Sequence, residues 1–496
     1  MDSDITLNPN KIVKALQKPA ADFTRRDIIR FVEQNDIRMI NFRYVAGDGR
    51  LKKLNFVINN KRHLEKILCL GERVDGSSLF PFISAESSDL YVVPKFRTAF
   101  VNPFTEVATL DIICSFFDSH GDPLESAPEY VLQKAQRSLK TRTGYTMEAL
   151  GELEYYLFSV VDNIYPIIEQ KGYQESHPFA KWGLVRREAM QLLSEMGCNI
   201  KYGHAEVGNI VSGDLEMVQH EIEFLPVPIE DAADQLVIAK WAVREVAYKN
   251  NLEVTFAPKL IAGQAGSGFH IHTRFMKGDD NVIADKKGIT DVGKKVISGY
   301  LQSAESITAF GNTVPTSFLR LVPHQEAPTS ICWGDRNRSV LVRVPLGWLG
   351  NTGKMLTHAN PLESADLKLT GENNQTIELR SPDGSANAYF LLASMAVAAR
   401  HGLENPDGVK VADDLYIKAD AAKVSDLKQL PASCWEAADC LAKDRDRYEE
   451  DGVFPKGFID STIKELKKFD DLGLSTKLAD DPQALKAVVE RHLHCG

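Results

Sequence analysis

The chain has 496 residues, 44% hydrophobic and 25% charged, an ordinary globular composition long enough for a large core and more than one domain. A formal net charge of −10, with no basic stripe and no polybasic amphipathic helix, argues against nucleic acid and membrane surfaces as partners. Seven scattered cysteines without a Cys-x-x-Cys, no signal-peptide pattern after Met1, and a longest apolar run of only 389–399 point to reduced thiols in a cytoplasmic protein.

Residues 1 to about 20 are polar, lack a convincing core pattern and read as an arm or docking segment. Thr24-Arg25-Arg26-Asp27 is a capping-box pattern ahead of Ile28, Ile29, Phe31 and Val32. Next come a predicted strand over 37–44, a turn at Gly47-Asp48-Gly49 and a returning strand over 54–58. With short strands at 90–93 and 107–113, residues 21–118 read as a small α+β domain, bounded by Gly121-Asp122-Pro123. Ser126-Ala127-Pro128-Glu129 predicts a second capping box, opening a helix to about Lys140. An amphipathic helix over 185–196 ends at Gly197, 200–224 reads as a hairpin, and Asp231 is the expected cap of a long helix to Lys249. Strands at 253–256 and 268–275, one helix over 292–309, loops from 311 to 385, a helix over 387–400 and a helical tail follow, with no internal repeat.

Chemistry concentrates in a few short stretches. In Gly151-Glu152-Leu153-Glu154-Tyr155-Tyr156, a period of two puts Glu152 and Glu154 on one face. At ~4 Å, two like charges repel by roughly 4 kcal/mol at an effective dielectric near 20. Alone, such a pair reads as a wet acidic strand edge. Four further stretches add acids or imidazoles with the same alternation: His204-Ala205-Glu206, Gln219-His220-Glu221-Ile222-Glu223, Gly266-Ser267-Gly268-Phe269-His270-Ile271-His272, and Ile377-Glu378-Leu379-Arg380. Taken singly, each histidine reads as a satisfied core or rim residue. Together the stretches predict a strand-lined acidic funnel of Glu152, Glu154, Glu206, Glu221 and Glu378 beside His270. It would need roughly two divalent cations to stay ionised, and oxygen ligation with one imidazole suits magnesium or manganese over zinc. Arg320, Arg336, Arg338, Arg343 and Arg380 supply guanidinium forks that match carboxylate or phosphate. Any one of them reads equally as a surface ion pair. As a set with metal-binding carboxylates they fit phosphoryl transfer from a nucleotide. No Walker-type phosphate loop occurs, and the glycines of 263–268 read as letting backbone approach a ligand.

With these residues in view, the chain resembles the glutamine synthetase family along nearly its whole length. Val74-Asp75-Gly76-Ser77-Ser78 is similar to the loop ending that family's N-terminal domain, and Gly151-Glu152-Leu153-Glu154 to its Gly-x-Glu-x-Glu strand. His204-Ala205-Glu206, Gln219-His220-Glu221 and the stretch from Gly266 to His272 resemble its next acidic motifs and its glycine-rich ATP signature. Arg320-Leu321-Val322-Pro323 with Glu326-Ala327-Pro328, then Arg336-Asn337-Arg338-Ser339, then Ile377 to Asp383, resemble its flap and arginine motifs.

The resemblance implies an α+β protein: an arm over 1–20, a β-grasp domain over 21–118, and a catalytic domain over 119–496 built on a curved antiparallel sheet with helices outside. It implies ATP-dependent ligation of ammonia to the γ-carboxylate of glutamate through a γ-glutamyl phosphate, with two or more magnesium or manganese ions. Glu154, Glu206 and Glu221 would hold one metal; Glu152, His270 and Glu378 the other. Arg320, Arg338 and Arg380 would clamp the γ-carboxylate, with Tyr173 and Gly266 on the substrate side, while His272, Arg338 and Arg343 face ATP. Asp75 from a neighbouring subunit, with Glu326 and Tyr173, would bind ammonium and take its proton, in a homo-oligomer of stacked rings, most simply a dodecamer. The departures are Ala265, where the family holds the substrate's amino group with asparagine; Arg274, Asn373 and Thr376 near the nucleotide; and several extra residues between Glu206 and Glu221. They keep open a γ-glutamyl ligase acting on another amine and, further off, a non-catalytic relative. Tyr416 lies near a regulatory tyrosine of some members but in a poorly matching context, and no modification is expected there.

Overall fold

The structure is a computed structural model that describes residues 3–84, 86, 88–322, 327–347, 352–364, 373–478 and 481–496. Strands β1 (Met39–Val45) and β2 (Leu51–Val57) pair antiparallel through a turn at Gly49, whose φ of 79° suits glycine. With β3 (Glu72–Asp75), β4 (Asp89–Pro94), β5 (Phe100–Val101) and β6 (Thr109–Phe117) they form a six-stranded sheet of order β2-β1-β6-β4-β3, β5 flanking β6. The central β1–β6 pairing is parallel, and the helix Arg25–Gln34 packs Ile28, Ile29, Phe31 and Val32 into the same core, giving the β-grasp arrangement. Thr24 and Asp27 cap that helix reciprocally, as their spacing predicts.

Local expectations differ from the structure in five places. The stretch 311–385, expected as loops, holds among its described residues the helices Ser317–Arg320 and Thr352–Ala359 and three strands of only three residues each, too short for a period of two to set them apart as strands. Within 1–20, a helix at Lys11–Leu16 is capped by Asn10 and buries Ile12 and Val13 in the small domain's core; six residues are too few for periodicity to register. The helix Pro128–Thr143 has no side-chain cap. Pro128 opens it, because a first-turn N–H has no intrahelical partner to lose. Glu129 turns inward instead and accepts the Phe116 N–H, with burial pushing its carboxyl up to about 7. The long helix runs Ile229–Lys249, so Asp231 lies in its first turn rather than at the cap. The expected single helix over 292–309 is two, Asp291–Gln302 and Ala304–Gly311, broken at Ser303, whose hydroxyl accepts from Arg447.

The second sheet has ten strands. Its long members are β7 (Thr146–Val160), β8 (Ile200–Ser212), β9 (Leu215–Phe224), after which come β10 (Val227–Pro228), β11 (Glu253–Thr255), β12 (Phe269–Lys277) and β13 (Asp280–Asn281). A small separate hairpin, β14 (Ala284–Asp285) and β15 (Gly288–Ile289), precedes the last strands, β16 (Trp333–Asp335), β17 (Val342–Val344) and β18 (Ile377–Leu379). The order is β16-β17-β18-β12-β7-β9-β8, antiparallel except between β16 and β17. The long helices Ile229–Lys249 and Ala388–Glu404 share one apolar core with the sheet. Gly151 lets the first come close: a Cβ there would lie 2.7 Å from Leu236 Cδ2. The alternation of β7 therefore buries Leu153 and Tyr155 on the helix side and leaves Glu152 and Glu154 for the opposite face. No helix among the described residues is long and apolar enough to cross a membrane, and all seven cysteines are free.

A buried ion pair between β1 and β6 of the smaller sheet faces the long helix of the large domain. Arg43 Nε donates to Asp111 at 2.7 Å, Asn41 and Asn102 donate to the same carboxylate, and the guanidinium lies 4.1 Å from the ring centroid of Trp241 on the long helix. Removing one partner strands a buried charge. Asp111→Ala should therefore cost about 3–5 kcal/mol of stability, read as a lowered urea midpoint; an unchanged midpoint would contradict this.

Candidate active site

The register of the large sheet assembles the site. His270 on β12 lies opposite Glu152 on β7, and Glu152 lies opposite Glu223 on β9. One step along, Glu154 faces Glu221, and Glu221 faces His204 on β8. On the other side His272 faces Glu378 on β18, which faces Arg343 on β17. Residues two apart on each strand share a face, so these rows meet in one cleft of about 1700 Å3.

Glu152 takes both imidazoles: His270 Nδ1 lies 2.8 Å and His272 Nε2 2.9 Å from its two oxygens. Burial works against this carboxylate, but the charges and hydrogen bonds of His272 and His270 outweigh it and hold its pKa well below the ordinary value. Glu378, fully buried, accepts from Arg343 at 2.9 Å and Arg380 at 3.0 Å. Glu154 is raised by burial and by Glu206 despite the opposing pull of His270; its Oε2 accepts from Gln219 at 3.0 Å and the Gly268 N–H at 2.8 Å. Glu221 is pushed well up by burial and by Glu152, Glu154 and Glu206 around it. Arg320 is buried, donating to the Ser381 carbonyl at 2.8 Å, with its other nitrogen 3.3 Å from His270 Nε2. Gly268 makes room for these groups: a Cβ there would lie 2.6 Å from His270 Nε2 and 2.7 Å from an Arg320 nitrogen.

Three sets of donor atoms each lie within 4.8 Å of one another: Glu152, His270 and Glu378; His204, Glu206 and Glu221; and Glu152, Glu223 and His272. The first is the expected set. In the second, His204 stands where Glu154 was expected; Glu154 lies outside that set, with its Oε2 accepting from Gln219 and the Gly268 N–H. The donor chemistry, carboxylates with one imidazole, fits a hard to borderline divalent cation. A bulge aims Glu206 inward: Ala205 faces His220 and Asn209 faces Val218, so residues 206–208 of β8 oppose Gln219 alone.

Tyr173, Gly266, Arg338, Arg343 and Arg380 also line the cleft. Asp75 does not. It is exposed on the small domain, its carboxylate accepting from Ser77 and Ser78, which hold its pKa far below the ordinary value. Glu326 lies outside the described residues. Of the departures, Ala265 uses its backbone, accepting from Tyr156 at 2.8 Å and donating to Gln170 at 2.8 Å. Thr376 bonds His272 Nδ1 at 3.0 Å, Arg274 is paired with Glu148 at 2.7 Å, and Asn373 holds the Asn281 and Ala284 carbonyls. The extra residues after Glu206 lengthen the β8–β9 hairpin to a turn at Gly213, and residues 208–218 are not among those lining the cleft. Sequence reasoning passed over Glu223, which lines the cleft with its Oε1 on Lys201 at 2.6 Å; its place two residues beyond Glu221 was the available signal.

The family model for the glutamine synthetase catalytic domain matches residues 125–471, and that for the glutamine synthetase beta-Grasp domain matches 36–119. The glutamine synthetase of Staphylococcus epidermidis is 31% identical over 441 residues, 86% of this chain and 91% of that one. That of Staphylococcus aureus is 31% identical over 398 residues, 78% and 81% of the two chains. Among solved structures, the glutamine synthetase of Plasmodium falciparum superposes with a TM-score of 0.76 at 17% identity, covering 94% of this chain and 99% of that one. A complex of GmaS with ADP gives 0.71 at 18% identity, covering 93% and 99%. The acid and arginine rows, the two domain matches and the full-length likeness agree: the chain belongs to the glutamine synthetase family.

Proposed function

We propose that this ligase joins ammonia to the γ-carboxylate of glutamate, driven by ATP, through a γ-glutamyl phosphate. Glu378 carries the reading. One buried carboxylate binds the guanidiniums of Arg343 and Arg380 and also belongs to the donor set with Glu152 and His270. An arginine clamp and a cation position therefore meet on one strand, which is what neutralising a transferring phosphoryl group requires. Magnesium or manganese held by Glu152, His270 and Glu378, and by Glu206 and Glu221 beside Glu154, would supply the rest of that neutralisation.

Arg320, Arg338 and Arg380 would bind the γ-carboxylate and aim one oxygen at the terminal phosphorus of a nucleotide faced by Arg343 and His272. That oxygen attacks, ADP leaves, and ammonia then displaces phosphate from the acyl carbon. Ammonium must first lose a proton, a role for Asp75 with Tyr173 and Glu326. Because Asp75 is exposed and outside its own chain's cleft, it would act from a neighbouring copy, in keeping with stacked rings, most simply a dodecamer. Ammonia is favoured over a larger amine because residues 208–218 of the lengthened hairpin stay out of the cleft lining and Tyr173 remains in it.

Protein supplied with magnesium, ATP and glutamate should release phosphate only when ammonium is added. Turnover with a diamine or polyamine but none with ammonium would reassign the acceptor. Glu152→Ala should reduce phosphate release beyond the roughly 10–100-fold typical of losing an outer partner of a metal site; near-normal release would refute the cation assignment. Gly268→Ala should fold normally yet lose about 100-fold in turnover, because its methyl displaces His270 and Arg320. Circular dichroism melts and steady-state kinetics separate those two effects.

A further inference from the structure

His204 is held in a definite orientation. Its Nδ1 lies 3.0 Å from the Ala205 carbonyl, which can only accept, so Nδ1 carries a proton. Tyr173 packs edge-on against the ring with centroids 5.4 Å apart, and Tyr202 lies 5.9 Å away at 30°, which fixes the ring plane. Nε2 is thereby turned to Glu221, 3.3 Å from a carboxylate oxygen, with Glu206 completing the set of donors within 4.8 Å. Nε2 and oxygens of both carboxylates thus converge on one point, the arrangement that three ligands of a single cation would take. A backbone carbonyl holding the far N–H is also the partner that metal-bound imidazoles ordinarily have.

We propose that His204, through Nε2, is a direct ligand of the cation on the Glu206–Glu221 side. Each of the two cation positions then carries one nitrogen donor, His270 at one and His204 at the other. This deepens the function proposed above and rests on its placing a divalent cation between Glu206 and Glu221. A second imidazole also shifts the pair of sites toward manganese over magnesium, since imidazole suits the softer ion better.

The test uses Mn2+ alone as the probe, on the full chain. The wild-type protein should bind two ions, and pulsed electron paramagnetic resonance should show nitrogen couplings of directly bound imidazole. In His204→Gln, with the metal-free melting curve unchanged, one ion should bind at least roughly 10-fold more weakly and one nitrogen coupling should vanish. In His270→Gln a nitrogen coupling should persist, since His204 remains. This second variant keeps the test valid if the first folds poorly. Two ions bound by His204→Gln with unaltered affinity and couplings, or loss of every nitrogen coupling in His270→Gln, would overturn the role of His204 while leaving the ligase reading intact. Absence of Mn2+ binding by the wild-type protein would overturn both.

Discussion

Carboxylates directly opposite one another on antiparallel strands repel, and β7 and β9 set two such pairs side by side, Glu152 against Glu223 and Glu154 against Glu221. Six groups around the cleft answer that repulsion. His270 and His272 hold Glu152, Lys201 holds Glu223, Gln219 and the Gly268 amide hold Glu154, and His204 lies beside Glu221. The residual strain shows in Glu221 and Glu154, whose carboxyls are raised by burial among like charges. A sheet with this inner face departs from ordinary strand design, as functional sites do, and a divalent cation would relieve it.

The helix side of the same strands makes that face affordable. Leu153, Tyr155, Ile222 and Ile271 point into the large core with the two long helices, and Gly151 lets Leu236 approach β7. Apolar packing fixes the register, and a one-residue slip would send the acids into the core. The cleft's charge geometry is thus set by what lies behind it. Arg343 and Arg380 enter from the other end, on β17 and just beyond β18, so positive charge meets the acid rows at Glu378. Carboxylate activation and nucleotide binding would divide along that line.

Much of this was legible in the residues alone. Period-two spacing assigned Glu152 and Glu154, His270 and His272, and Glu378 and Arg380 to common faces, and pairing then placed those faces together. What stayed hidden depended on tertiary partners. Ile12 and Val13 sit in a helix too short to show a period, and Glu129 looks like a capping residue until the Phe116 amide is seen above it. Glu223 and His204 stood in motifs already noted, but only the strand pairing shows which neighbours they face. Asp75 lies outside its own chain's cleft, so the role proposed for it calls for a second copy that a single chain does not contain.

The claim that this acid-and-arginine cleft activates a carboxylate by phosphoryl transfer has a direct isotopic signature. Glutamate labelled with 18O in its γ-carboxylate, incubated with the protein, magnesium, ATP and ammonium, should pass one labelled oxygen into each phosphate released, because that oxygen bonds to phosphorus and leaves with it. Phosphate released without the label would mean that water, not the carboxylate, attacks the nucleotide, and would contradict the account.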